Sequence, residues 1–137
     1  MENLTAYIDG ASKGNPGRAS IGFVIYSEKK GLVKKYGAHI GYATNNSAEY
    51  LALIAALIEC LCYLPANLEI RSDSLLLIKQ MQGKYRVRDE WLKKLQFIAT
   101  LLISRYNKVS LRHIPREENR EADRIAEEYV KDDAKLF

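Results

Sequence analysis

Apolar residues along this chain change period several times, and the changes mark its elements. A short apolar run at residues 4–8 and an alternation at residues 18–27, with Ala19, Ile21, Phe23 and Ile25 on one face, both predict strands. A Glu28-Lys29-Lys30-Gly31 turn leads into a third strand at 32–40, so the opening third reads as an antiparallel meander. Residues 47–64 are apolar nearly all round, through Leu51, Leu53, Ile54, Leu57, Ile58 and Leu61; this predicts a helix buried on most faces and stopped by Pro65. A strand at 68–72 and helices at 73–81 and 90–106 follow, the longer helix with Trp91, Leu95, Ile98 and Leu102 on its core side. The last strand, 108–114, precedes Pro115, after which Ala122, Ile125, Ala126, Tyr129 and Val130 recur at the spacing of a core-facing helix. Three antiparallel strands followed by helix-connected strands predict an α/β fold with a mixed sheet and helices on its faces.

At 137 residues the chain suits one domain, 1–137, and no biased stretch suggests a linker. No apolar run approaches the roughly 20 residues that span a bilayer, and Met1-Glu2-Asn3 lacks the basic start of a signal peptide, so a cytoplasmic protein is expected. Cys60 and Cys62 lie in the most apolar segment and read as a buried thiol pair without chemistry. A net charge of +4 suits an anionic partner without specifying one.

Chemistry enters with four acidic residues placed where the pattern changes: Asp9, Glu49, Asp73 and Asp123. Each has an ordinary reading alone. Asp9 before Gly10 suits a turn, Glu49 three residues after Asn46 suits a capping box, Asp73 suits a helix cap, and Asp123 falls beside an apolar stripe. Together they read differently, because Asp9 and Asp73 are both expected to end apolar strands and Glu49 is nearly alone among charges at the start of a buried helix. Buried carboxylates persist when hydrogen-bonded, paired or bound to a cation. An all-oxygen set without His or Cys favours Mg²⁺ or Mn²⁺ over Zn²⁺, and such ions complete their shells with water and phosphate. The glycine-rich segment 10–17 beside Asp9 is not a P-loop, since G-x4-G-K-[ST] is absent and a strand follows. It reads either as a turn or as backbone that lets a sugar-phosphate chain come close.

YIDGASKGNPG, TNNSAEYLALIAAL, IRSDSLLLIKQM and HIPREENREADRIAEE, in this order, resemble ribonuclease H of the HI class over essentially the whole chain. The resemblance implies a ribonuclease H-like five-stranded mixed sheet, three antiparallel strands then two parallel additions, flanked by helices. It implies an endonuclease that cuts the RNA strand of RNA/DNA hybrids with two Mg²⁺ or Mn²⁺ ions, leaving 5′-phosphate and 3′-hydroxyl ends. Asp9 would bridge the ions, Glu49 and Asp73 would be further ligands, and Asp123 would hold the ion that activates water. Gly10, Ser12, Asn15, Asn45 and Asn46 would line the sugar and base edges of the minor groove, and Thr44 would help hold a phosphate of the DNA strand.

The chain departs from well-known members at three places. It lacks a Lys-rich protrusion around residues 84–88, leaving Lys84, Arg86 and Arg88 as candidate backbone contacts, and no extra hybrid-binding segment precedes Leu4. Where many members carry a mobile histidine, this chain reads His113-Ile114-Pro115-Arg116, with His113 at a strand end and Arg116 better placed to swing over a phosphate; a salt bridge from Arg116 to the neighbouring glutamates is the ordinary alternative. No obligate protein partner is implied. Other readings are a catalytically silent nucleic-acid-binding domain, which would have lost a carboxylate, a nuclease that also cuts double-stranded RNA, and a transposase-type core, which would carry extra DNA-binding segments.

Overall fold

The computed structural model describes residues 2–131; Met1 and residues 132–137, which the one-domain expectation also takes in, lie outside the described residues. Strands β1 (Asn3–Gly14), β2 (Gly17–Ser27) and β3 (Gly31–Ala43) form the meander, and α1 (Asn45–Leu61) crosses over to β4 (Asn67–Ser72). Helices α2 (Leu75–Met81) and α3 (Glu90–Ile103) lead to β5 (Val109–His113), and a 3₁₀ turn at Arg116–Glu118 precedes α4 (Arg120–Lys131). Among the described residues the strands make one five-stranded sheet ordered β3-β2-β1-β4-β5. Pairing is antiparallel among β1, β2 and β3 and parallel from β1 to β4 and from β4 to β5. This is the mixed sheet that the sequence predicts.

Two layers cover it. On one face Ala6, Ile8, Phe23 and Ile25 from the sheet share a core with Leu53 and Leu57 of α1, backed by Leu92, Leu95 and Ala99 of α3. Each such leucine, buried from water, contributes about 1.5–3 kcal/mol. On the other face α4 lies directly on the meander: a Cβ at Gly22 would come within 2.8 Å of Ala122 O and Ala126 N, and Ser20 Oγ donates to Ala126 O. No helix among the described residues is long and apolar enough to cross a membrane.

Several expectations are corrected. The glycine-rich segment is mostly strand, since β1 pairs with β2 as far as Gly14 opposite Gly17; Asp9 therefore lies within β1, opposite Gly22, and does not end it. Helix α1 begins at Asn45 because Thr44 caps it, with Oγ1 accepting from Ser47 N at 3.1 Å, and it stops at Leu61 before Pro65. The helix is buried on most faces as expected, with Ile58, 54% exposed, on its open side. Cys60 is buried but Cys62 is exposed, since two helical residues rotate by about 200°. The core stripe of α3 is Leu92, Leu95 and Ala99, while Trp91 and Ile98 are exposed. On α4, Tyr129 is partly exposed and lies against Gly37.

Candidate active site

Strand register brings the first two acids together. β1 and β4 are in parallel register through Ile8 opposite Ser72, so Asp9 and Asp73 are the next residues on each strand where that pairing ends. β5 ends at the same level, with His113 opposite Ser72. The edge is thus the carboxyl end of the parallel strands, where α/β sheets commonly bind ligands.

Glu49 arrives from α1 through an unusually close contact. A Cβ on Gly10 would lie 2.3 Å from the Ala48 carbonyl carbon and 2.5 Å from Glu49 N, so only glycine lets the first turns of the helix press onto β1. Gly10 N donates to Glu49 Oε1 at 2.8 Å. The space on the Cβ side of Gly10 is therefore filled by helix backbone, which by itself accounts for a glycine at this position. Glu49 also plays no part in capping, which falls to Thr44, and Ser74 rather than Asp73 caps α2.

One carboxylate oxygen each from Asp9, Glu49 and Asp73 lie within 4.8 Å of one another, although Asp9 is only 5% and Glu49 6% exposed. Burial, followed by the negative charges of Glu49, Asp73 and Asp123, holds the Asp9 carboxyl well above the usual carboxylate range. Burial raises Glu49 as well, against the Gly10 N–H, which favours its charged form. Asp73 is raised chiefly by burial, opposed by its hydrogen bond from Asn119. Three such groups cannot all be ionised side by side without a positive charge among them. Their donors are hard oxygens, so the trio fits one or more divalent cations.

Asp123, in the first turn of α4, flanks the trio. It is near enough to Asp9 for a hydrogen bond between the carboxyls to raise the Asp9 pKa. On its outer side Arg116 Nη2 stands 3.5 Å from Asp123 Oδ2, with the arginine side chain 75% exposed. The arginine pairs with Asp123 and not with the glutamates beside it in sequence. His113 is exposed at the end of β5.

Sequence reasoning missed Asn119. It is 1% exposed, its Nδ2 donates to Ile8 O at 2.8 Å and reaches Asp73 Oδ2 at 3.5 Å, and its Oδ1 is buried without a partner. An unpaired buried oxygen costs about 1–3 kcal/mol. Asn just before an amphipathic run is a helix-start signal that would have located it, but nothing local announces a bond to a strand 111 residues earlier.

The residues expected to meet nucleic acid fall in two places. Ser12 Oγ donates to Ala43 O at 3.0 Å and also approaches Gly14 O, and Asn45 N donates to Asn15 Oδ1 at 3.0 Å, so the β1–β2 hairpin tip is tied to the start of α1. Thr44 and Asn46 belong to the same junction. Lys84, Arg86 and Arg88 are exposed on the separate loop between α2 and α3.

Comparisons with known proteins agree with this geometry. The family model described as Reverse transcriptase-like matches residues 7–129. Ribonuclease HI of Halobacterium salinarum is 42% identical over 127 residues, 93% of this chain and 64% of that protein. A bifunctional protein of Mycobacterium tuberculosis is 37% identical over 86% of this chain and 33% of its own length. The chain thus spans about two thirds of one curated relative and one third of the other. The crystal structure of RNase H1 from Halobacterium salinarum superposes with a TM-score of 0.90 at 41% identity, covering 93% of this chain and 97% of that one. LC11-RNase H1, from compost and solved in complex with an RNA/DNA hybrid, gives 0.88 at 37% identity over 93% of this chain and 96% of its own. Fold and sequence agree with these proteins over nearly the whole chain, and the chain belongs to the ribonuclease H family, class HI.

Proposed function

We propose that this chain is a divalent-metal-dependent endonuclease that hydrolyses the RNA strand of RNA/DNA hybrids, leaving 5′-phosphate and 3′-hydroxyl ends. One observation carries the reading: three carboxylates, two of them almost fully buried, converge within 4.8 Å at the carboxyl edge of the parallel strands. Similarity to LC11-RNase H1, whose structure contains an RNA/DNA hybrid, supports the substrate. The family is metal-dependent, and Mg²⁺ or Mn²⁺, two ions in the substrate complex, suits the oxygen donors.

Asp9, Glu49 and Asp73 would hold the ions, with Asp123 on the flank. When bound, such ions lower the pKa of a water and stabilise the leaving 3′ oxygen. The remaining work falls to the protein's own groups. The Gly10 N–H fixes one oxygen of Glu49, so that carboxylate needs no reordering when a cation arrives. Arg116, anchored by Asp123 yet mostly exposed, is free to turn toward a substrate phosphate and stabilise its charge.

Selectivity for ribose follows from which polar groups are already committed. The Ser12 hydroxyl hydrogen is used on main-chain carbonyls, which leaves its oxygen as an acceptor for a 2′-hydroxyl. Asn15 uses its oxygen on Asn45 N and presents its amide N–H groups as donors. A DNA strand in the same place would leave these groups without the partner that a 2′-hydroxyl supplies.

The test is cleavage of labelled RNA/DNA hybrid, RNA duplex and DNA duplex in parallel with Mg²⁺, Mn²⁺ or EDTA, comparing the chain with Asp73→Asn. Hybrid cleavage that EDTA abolishes and the substitution nearly eliminates is expected. Robust cutting by Asp73→Asn would remove that residue from the ion site, and cutting of DNA duplex would overturn the substrate.

A further inference from the structure

We propose that Asn119 is the positioning residue of the carboxylate site, a buried amide that fixes Asp73 relative to β1 and to the helix that carries Asp123. This deepens the nuclease reading and rests on it.

The Asn119 side chain touches the strand under one acid and the carboxylate of another. Its Nδ2 donates to Ile8 O at 2.8 Å, on the residue directly before Asp9, and reaches Asp73 Oδ2 at 3.5 Å. Its main chain continues the tie, since Asn119 N donates to Arg116 O at 2.9 Å and Asn119 O accepts from Asp123 N at 3.1 Å. One residue therefore links the strand under Asp9, the carboxylate of Asp73 and the segment carrying Arg116 and Asp123.

The way the amide is used argues that the site, and not the helix, sets its identity. Asn119 immediately precedes α4, where a side-chain oxygen normally accepts from the N–H groups of the first turn. Here that oxygen is buried without a partner, and the nitrogen is spent across the site. Aspartate in its place would have the same shape but would set another oxygen against Ile8 O and Asp73. Alanine would leave both acceptors without this donor.

The physical consequence concerns preorganisation. A hydrogen bond to one oxygen of Asp73 limits the rotation of that carboxylate, so its geometry is set before a cation binds. Groups that hold metal ligands in this way typically change affinity or activity by about 10- to 100-fold when removed.

The experiment titrates Mn²⁺ by calorimetry, without nucleic acid, into the wild-type chain, Asn119→Ala and Asn119→Asp. Circular dichroism and hybrid-cleavage kinetics are measured on the same samples. For folded Asn119→Ala, Mn²⁺ affinity is expected to fall about 10- to 100-fold and kcat by a similar factor, with KM for the hybrid within about twofold. Asn119→Asp, equal in shape but unable to donate when ionised, should lose kcat comparably. A folded Asn119→Ala with wild-type Mn²⁺ affinity and kcat would overturn the proposal, as would wild-type kcat in Asn119→Asp. Failure of both variants to fold would overturn it too, marking the residue as a structural part of the fold. If the wild-type chain binds Mn²⁺ but cuts no hybrid, the nuclease reading fails while the ion affinities still decide the role of Asn119.

Discussion

The Asp9, Glu49 and Asp73 side of the site and its Asp123 and Arg116 side are built by opposite means. The first is set by backbone: strand register aligns Asp9 with Asp73, and the Gly10 contact presses α1 against β1 so that Glu49 is delivered into a buried pit. The second is set by side chains: Asp123 stands on the first turn of a surface helix, tied outward to an arginine that is 75% exposed. The buried side cannot adjust, so it must accept the electrostatic cost of three close acids, and that cost becomes affinity for cations. On the outer side Asp123 is half-buried beside Asp9, while the Arg116 guanidinium paired with it stands in water, which screens that ion pair. Buried acids suit ion capture, and an exposed arginine anchored on Asp123 suits a group that must reach a phosphate during turnover.

The largest effect is expected on the buried side. Asp9→Asn should lower hybrid cleavage by about 10³-fold or more, because it removes a ligand and its charge from the centre of the trio. The same change should stabilise the metal-free protein. Burial and like charge raise the folded-state pKa of Asp9 and Glu49 above their unfolded values, so their contribution to stability is fully present below the usual carboxylate range and is lost as pH rises toward those raised values. Thermal melts in EDTA should therefore show a contribution that declines from pH 5 to pH 8, shallower in Asp9→Asn and cancelled by millimolar Mg²⁺ in the wild type. A steeper decline in the variant would contradict this assignment.

Next comes Gly10→Ala. Its methyl would collide with helix backbone, and overpacking of this kind costs about 3 kcal/mol. Urea unfolding should register that loss, with lower Mn²⁺ affinity in whatever remains folded. Native stability in this variant would mean that α1 shifts without penalty.

On the exposed side the expected effects are smaller. Asp123→Asn should reduce kcat by about 10- to 100-fold while leaving the buried trio able to bind Mn²⁺ in calorimetry. Arg116→Ala should change kcat by less than about 10-fold with little change in melting temperature, since its ion pair with Asp123 is solvent-screened. A collapse of Mn²⁺ binding in either variant would erase the distinction between the two sides.

Much of the fold was legible in the chain, for reasons visible at single positions. Alternation at Ala19, Ile21, Phe23 and Ile25 and the apolar density of Leu53, Ile54 and Leu57 led to the observed sheet and its central helix, because both patterns report burial directly. Aromatic bulk misled on α3: Trp91 suggested a core stripe, but the helix docks through Leu92, Leu95 and Ala99, and docking distance is not a property of one helix. The acids were legible as a set. What held them was not, since the requirement at Gly10 comes from a helix 39 residues away and the role of Asn119 from a strand 111 residues away. Local pattern carries burial, whereas close approach and hydrogen bonding between distant segments belong to the folded molecule alone.

The most direct test follows cleavage of the RNA strand of a hybrid as Mg²⁺ is raised from zero, in the wild-type chain and in Asp9→Asn. A buried trio that must bind cations before cutting predicts no product in EDTA, a saturable rise with Mg²⁺, and a flat response in Asp9→Asn. Cleavage in EDTA, or an unchanged Mg²⁺ curve in the variant, would contradict it.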